Sequence, residues 1–276
     1  MERNKLSVSK LPFVEEFVRL CEDGVSSGFH ERNGGNLSYW LTSEDVASLS
    51  GLEPAGEPHP LEAKIDGMAG EYFLVTASGS FMRSIPRNPE RDLCIIRIEN
   101  DELSYRLIWG LSSGGRPTSE LESHLMNFAV RAAVPGRRCR VMYHAHPIHV
   151  IALSYLLPLD EKTITKALWT SMIECPFLFP AGVGVVPPMI PGGAQIARLT
   201  SELIRSHDAV MWAHHGLFCC GASFQDAFGL METIDKAAHL LLLVDGPSLK
   251  RVNRIDDSLL YEIAEVSCGA VNTDYI

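Results

Sequence analysis

The stretch Val141-Met142-Tyr143-His144-Ala145-His146 reads as a buried strand whose last residues carry chemistry. Side chains alternate between faces in an extended chain, so His144 and His146 point the same way and Ala145 points the other. Neutral imidazole is a good zinc ligand, and catalytic zinc sites keep three protein groups and an open position. Taken alone, the pair leaves two readings open: half-buried histidines bonded to backbone, or the start of a metal site. Pro147 then opens a helix over 148–157, at the turn where proline is best tolerated. His149 falls on that helix, away from the strand face.

A second apolar run, 208–215, reads as a continuous strand ending in His214-His215-Gly216. Adjacent strand residues face opposite ways, so only one of these two histidines can join His144 and His146. The segment Pro117-Thr118-Ser119-Glu120-Leu121-Glu122 precedes a helix carrying Leu125, Phe128, Ala129 and Ala132, with Thr118 or Ser119 as its natural N-cap. Glu120 is therefore either an ordinary helix-start carboxylate or a base placed beside a metal.

Two small-residue loops have the composition of anion nests. In Glu31-Arg32-Asn33-Gly34-Gly35-Asn36, glycine and asparagine adopt positive φ cheaply, so successive N–H groups can line a concavity; a plain turn is the other explanation. Thr76-Ala77-Ser78-Gly79-Ser80 suits a phosphate or a tight turn equally.

Around these lie an opening amphipathic helix from residue 11 to 21, stopped by Gly24 and Gly28, and a strand over 37–41. A polar, proline-bearing stretch over 42–70 reads as irregular. Strands follow at 72–76, 93–98 and 105–109, the last two forming a hairpin that turns at 99–102. The pattern then predicts a helix over 165–172, strands at 176–179 and 184–186, a helix over 194–206 and a long helix over 224–244 capped by Ser223. One short helix is expected in the tail beyond Arg251.

Composition bounds the function. Apolar residues make up 46% of the 276-residue chain and charged ones 21%, enough for a sizeable core. No linker-like stretch interrupts residues 1–276, which predicts one α/β domain. With 24 Lys plus Arg against 34 Asp plus Glu, the formal charge is −10, the wrong sign for binding nucleic acid or an anionic membrane surface. An anionic substrate would need local amides, a few arginines or a metal. No secretion signal opens the chain, and seven cysteines without C-x-x-C spacing indicate reduced thiols, so the cytoplasm is the expected location.

Six segments, in order over residues 11–245, resemble the class II aldolase/adducin superfamily. They are Glu31-Arg32-Asn33-Gly34-Gly35-Asn36, Thr76-Ala77-Ser78-Gly79, Pro117-Thr118-Ser119-Glu120-Leu121, His144-Ala145-His146, Phe179-Pro180-Ala181-Gly182-Val183-Gly184 and His215-Gly216. The resemblance implies zinc held by His144, His146 and His215, with Glu120 as catalytic acid/base. It implies that Asn33, Gly34, Asn36, Ser78, Gly79 and Ser119 surround a small sugar phosphate, and that Glu174 assists proton transfer in a neighbouring subunit's site. It further implies a central, largely antiparallel sheet flanked by helical layers, homotetramers, and reversible cleavage of a deoxy-ketose phosphate to dihydroxyacetone phosphate and an aldehyde. One departure is Ser80, where relatives carry a basic residue. The same residues would serve a sugar-phosphate 4-epimerase, and an adducin-like interaction module would have kept the fold without them. A cupin also begins with His-x-His, but the glutamate it needs shortly afterwards is replaced by Ile148, His149 and Val150.

Overall fold

The computed structural model describes residues 8–136, 139–244 and 253–276. In chain order the elements are α1 (Pro12–Ser26), β1 (Asn36–Trp40), α2 (Ser43–Ser48), β2 (Ala55–Pro60), β3 (Tyr72–Thr76), α3 (Pro89–Asp92), β4 (Leu93–Ile98), β5 (Ser104–Gly110), α4 (Leu121–Ala132) and β6 (Val141–Ala145). They continue with α5 (Ile148–Leu156), α6 (Glu161–Trp169), α7 (Cys175–Leu178), β7 (Val183–Val186), α8 (Ala194–Ile204), β8 (Ala209–Trp212), β9 (Gly216–Gly221), α9 (Phe224–Val244) and α10 (Asp257–Val266). Arg251, where the expected tail begins, lies outside the described residues.

Among the described residues nine strands form one sheet in the order β2-β5-β4-β3-β1-β6-β9-β8-β7, and every pairing except β7 with β8 is antiparallel. Alternation along the strands divides the core between the two faces. Leu37 and Tyr39 of β1 and Val141, Tyr143 and Ala145 of β6 pack towards α1, α5, α6, α9 and α10. Met142 of β6, Val210 and Trp212 of β8 and Phe218 of β9 pack on the other face, with Leu121, Leu125 and Phe128 of α4 and Ile196 and Ile204 of α8. Val141 and Met142 are fully buried, each worth about 1.5–3 kcal/mol by transfer. By the same alternation Asn36, Ser38 and His144 face α4, and register sets Asn36 directly opposite His144.

Four expectations are corrected. The stretch 42–70 is not irregular throughout. Thr42 and Asp45 form a reciprocal cap at the start of α2, the Thr42 Oγ1 accepting from the Asp45 N–H at 3.1 Å and Asp45 Oδ2 from the Thr42 N–H at 2.8 Å. β2 tolerates Pro58 and Pro60 because it is an edge strand paired only with β5. Residues 175–178 make a helical turn rather than a strand, with Pro176 in the first turn, where its missing N–H costs nothing. The run to His215 is not continuous: β8 stops at Trp212, residues 213–215 turn with His214 at φ +61°, and β9 returns antiparallel with Trp212 opposite Gly216. Finally, α1 runs through Gly24 and ends at Ser26, because Gly24 packs against the Tyr143 hydroxyl and His30, where a side chain would not fit. Among the described residues no helix is long and apolar enough to cross a membrane.

Candidate active site

Three elements bring the histidines together. His144 projects from β6, His146 lies just past its end, and His215 sits in the β8–β9 turn, so their candidate ligand atoms all fall within 4.8 Å of one another. Gly216 permits this approach: a Cβ there would meet the Ala145 carbonyl oxygen and crowd both His146 Cδ2 (3.0 Å) and His144 Cε1 (3.1 Å). His214 turns away, its backbone N–H donating to Ser154 Oγ at 2.9 Å and its ring lying against Tyr155. The turn, rather than strand alternation, selects His215 from the pair.

Hydrogen bonding fixes how two of these rings are presented. His144 Nδ1–H donates to the Leu217 carbonyl at 3.1 Å, and His146 Nδ1–H donates to Glu31 Oε1 at 2.6 Å. Both bonds leave Nε2 as a lone-pair donor. His144 Nε2, His146 Nε2 and His215 Nδ1 are buried and have no hydrogen-bond partner among the described residues. Buried polar atoms are normally satisfied, so an orphaned nitrogen on each of three rings whose candidate ligand atoms lie within 4.8 Å of one another fits a bound cation. Burial, and secondarily the other two rings, hold the His144 pKa far below its ordinary value; burial and His146 lower that of His215 to about 4. Neutral rings are the protonation state a metal requires. The donor set of three nitrogens suits zinc with an open position.

Glu120 stands beside this cluster, its Oε2 3.9 Å from His144 Nε2. It occupies the N-cap position of α4 itself, not Thr118 or Ser119, and its side chain makes no cap; Thr118 Oγ1 instead accepts from the Glu120 N–H at 3.3 Å. Glu120 is 8% exposed, and burial raises its pKa against the lowering effect of an Asn36 Nδ2–H bond to Oε2 at 2.8 Å. A carboxylate so shifted is better matched to proton transfer near neutral pH.

A cavity of about 290 Å³ opens in front of the histidines. Asn33, Gly34, Asn36, Ser78, Gly79 and Ser119, the six residues expected around a sugar phosphate, all line it together with Glu120, His146 and His215. Among the described residues no lysine or arginine lines it. Ser80 is not in the lining; its hydroxyl donates to the Asp92 carbonyl at 3.3 Å. Asn36 lines the cavity while its amide donates to Glu120, and Glu174 is exposed and outside the cavity of its own chain. Glu31, His124 and the Pro191-Gly192 rim were not singled out by sequence. Glu31 is legible only as a carboxylate next to a glycine loop, and His124 only as the residue one helical turn after Glu120.

The sequence profile of the Class II Aldolase and Adducin N-terminal domain matches residues 15–242. The chain belongs to the class II aldolase and adducin family. It is 40% identical to the rhamnulose-1-phosphate aldolase of Pectobacterium atrosepticum over 233 residues, covering 84% of this chain and 85% of that protein. It is 41% identical to the rhamnulose-1-phosphate aldolase of Mannheimia succiniciproducens, covering 84% and 86%. Among solved structures, a sugar-phosphate aldolase from Thermotoga maritima superposes with a TM-score of 0.73 at 26% identity, over 86% of this chain and 97% of that one. The L-fuculose-1-phosphate aldolase of Thermus thermophilus, at 23% identity and TM-score 0.55 over 85% and 97%, shares the fold. The family assignment makes the chain an enzyme of the aldolase class.

Proposed function

We propose that this aldolase cleaves L-rhamnulose 1-phosphate reversibly to dihydroxyacetone phosphate and L-lactaldehyde, as a zinc enzyme of L-rhamnose catabolism in the cytoplasm. The observation that carries the proposal is the set of three orphaned imidazole nitrogens beside buried Glu120, in a chain about two-fifths identical to rhamnulose-1-phosphate aldolases. His144, His146 and His215 would hold the zinc, which when bound supplies a Lewis acid for the negative charge developing on the three-carbon fragment.

The remaining work falls to the protein. Asn33, Gly34, Ser78, Gly79 and Ser119 hold the phosphate through N–H and hydroxyl donors, which reconciles an acidic chain with an anionic substrate. In cleavage the C4 hydroxyl loses its proton, the C3–C4 bond breaks to give the aldehyde, and Glu120 in its acid form returns a proton to C3. In condensation the same carboxylate removes that proton. Burial raises the Glu120 pKa, which favours its acid form relative to an exposed carboxylate. Glu174, exposed on its own chain, would reach a neighbouring subunit's site in a homotetramer and assist the C4 proton.

Incubating the zinc-loaded enzyme with L-rhamnulose 1-phosphate, L-fuculose 1-phosphate and L-ribulose 5-phosphate tests this. Release of dihydroxyacetone phosphate and L-lactaldehyde, with the highest kcat/KM for the first substrate, is expected. Preference for the second moves the specificity to its stereoisomer, and a new pentulose phosphate from the third makes the chain a 4-epimerase.

A further inference from the structure

We infer that His124 is a positioning residue that fixes the carboxylate of Glu120 through Asn36, as the middle of a buried hydrogen-bond chain starting at Ser38. The inference rests on the aldolase reading for its consequence but not for its geometry.

Two periodicities interlock to build the chain. Asn36 and Ser38 are two apart on β1 and share its α4 face, while Glu120 and His124 are four apart and share one side of the start of α4. Asn36 Nδ2–H donates to Glu120 Oε2 at 2.8 Å, His124 Nε2–H donates to Asn36 Oδ1, and Ser38 Oγ–H donates to His124 Nδ1 at 2.5 Å. All four side chains are buried, with His124 and Ser38 fully so.

The polarity of every link follows from one fact. An amide nitrogen only donates, and Asn36 Nδ2 lies 2.8 Å from Glu120 Oε2, so its oxygen faces His124 as an acceptor. That oxygen requires a proton on His124 Nε2, which leaves Nδ1 as an acceptor, and only the Ser38 hydroxyl is there to donate. Burial lowers the His124 pKa to about 3, so the ring stays neutral and one tautomer persists. Phe218, whose ring centre lies 4.9 Å from that of His124, walls the imidazole on its apolar side. Asn36 and Glu120 line the cavity, whereas Ser38 and His124 lie behind them and do not. The hydrogen-bond chain's one terminus is the carboxylate that moves the C3 proton, and the purpose of so much buried polarity is to hold that carboxylate in one rotamer.

The test compares His124→Gln with His124→Asn. A glutamine amide reaches the position of Nε2 and can still donate to Asn36. An asparagine amide reaches only the position of Nδ1, so it satisfies Ser38 and abandons Asn36. On zinc-loaded protein, His124→Asn is expected to lower kcat and the exchange of solvent deuterium into C3 of dihydroxyacetone phosphate by about 10- to 100-fold, the scale of a catalytic group displaced by about 1 Å. KM and zinc content should change less than about twofold, and His124→Gln should recover most of the loss. His124→Phe, which fills the same space without donors, should resemble asparagine.

Crystal structures of the two variants read the same geometry without turnover: the Asn36–Glu120 bond should persist in glutamine and be lost in asparagine. Equal kcat in the two variants, or a parallel fall in kcat, zinc content and thermal stability that glutamine does not repair, would make His124 a core residue only. Should the wild type neither exchange deuterium nor cleave the ketose phosphate, the aldolase reading fails. The positioning inference is then judged by the crystal structures alone.

Discussion

Removing the acceptor behind His146 should loosen the metal without touching a ligand. Glu31 Oε1 takes the Nδ1 proton of His146 at 2.6 Å, which orients the ring and makes Nε2 more basic. A hydrogen bond to a charged group is worth about 1.5–3 kcal/mol. The Glu31 side chain is 66% exposed, so water can replace it and the loss falls at or below the lower end of that range. A loss of about 1.4 kcal/mol corresponds to a tenfold change in affinity. Glu31→Ala is therefore expected to weaken zinc binding about tenfold, and Glu31→Gln, which retains an accepting oxygen, by about threefold. Competition against a chromophoric chelator at fixed pH gives the dissociation constants directly. Activity should return to near the wild-type value when zinc is in excess, because the catalytic carboxylate and phosphate loops are intact. An unchanged zinc affinity in Glu31→Ala, or an activity loss that excess zinc does not repair, would refute the reasoning.

Other perturbations have defined outcomes. Glu120→Ala should lower turnover by about 100- to 10,000-fold while zinc stoichiometry stays the same, as a general base requires; near-normal turnover would remove Glu120 from the chemistry. Gly35→Ala should cost about 2–4 kcal/mol in denaturant unfolding, since φ is +78° and the new Cβ would stand 2.7 Å from the His144 carbonyl oxygen. Acid should destabilise the chelator-treated protein: burial lowers the pKa of His30 to about 4 and of His124 to about 3, so between those values and the ordinary 6.5 the unfolded chain binds more protons than the folded one. Stability then rises with pH across roughly 4 to 6.5, with a slope of about 1.4 kcal/mol per pH unit for each such imidazole, and is flat in these groups above that window. Urea melts at pH 5 and pH 6.5 measure it, and equal midpoints would contradict the burial argument.

Period-2 alternation was enough to pair His144 with His146, because both lie on or just beyond a strand flanked by apolar residues. It could say only that one of His214 and His215 joins them. The choice is made by a left-handed residue in a turn that alternation does not see. The same local blindness hid β9, whose Leu217-Phe218-Cys219-Cys220 run is apolar on both faces and so lacks a period. Prolines mask edge strand β2, and Pro176, which reads as the start of a strand, opens a helical turn. Glu120 was placed near the site by resemblance, whereas its link to His124 through Asn36 needs the β1–α4 packing that no single segment contains. Glu31 belongs to the same class: a surface carboxylate gains its meaning only from a ring 115 residues away.

Zinc stoichiometry, measured by mass spectrometry on protein purified without chelator and reloaded with excess zinc, bears most directly on three imidazoles holding one cation beside Glu120. The wild type should carry about one zinc per chain, and His144→Ala, His146→Ala and His215→Ala should each lose most of it while His214→Ala and His149→Ala keep it. Full occupancy in His215→Ala, or an empty wild type under excess zinc, would contradict the account.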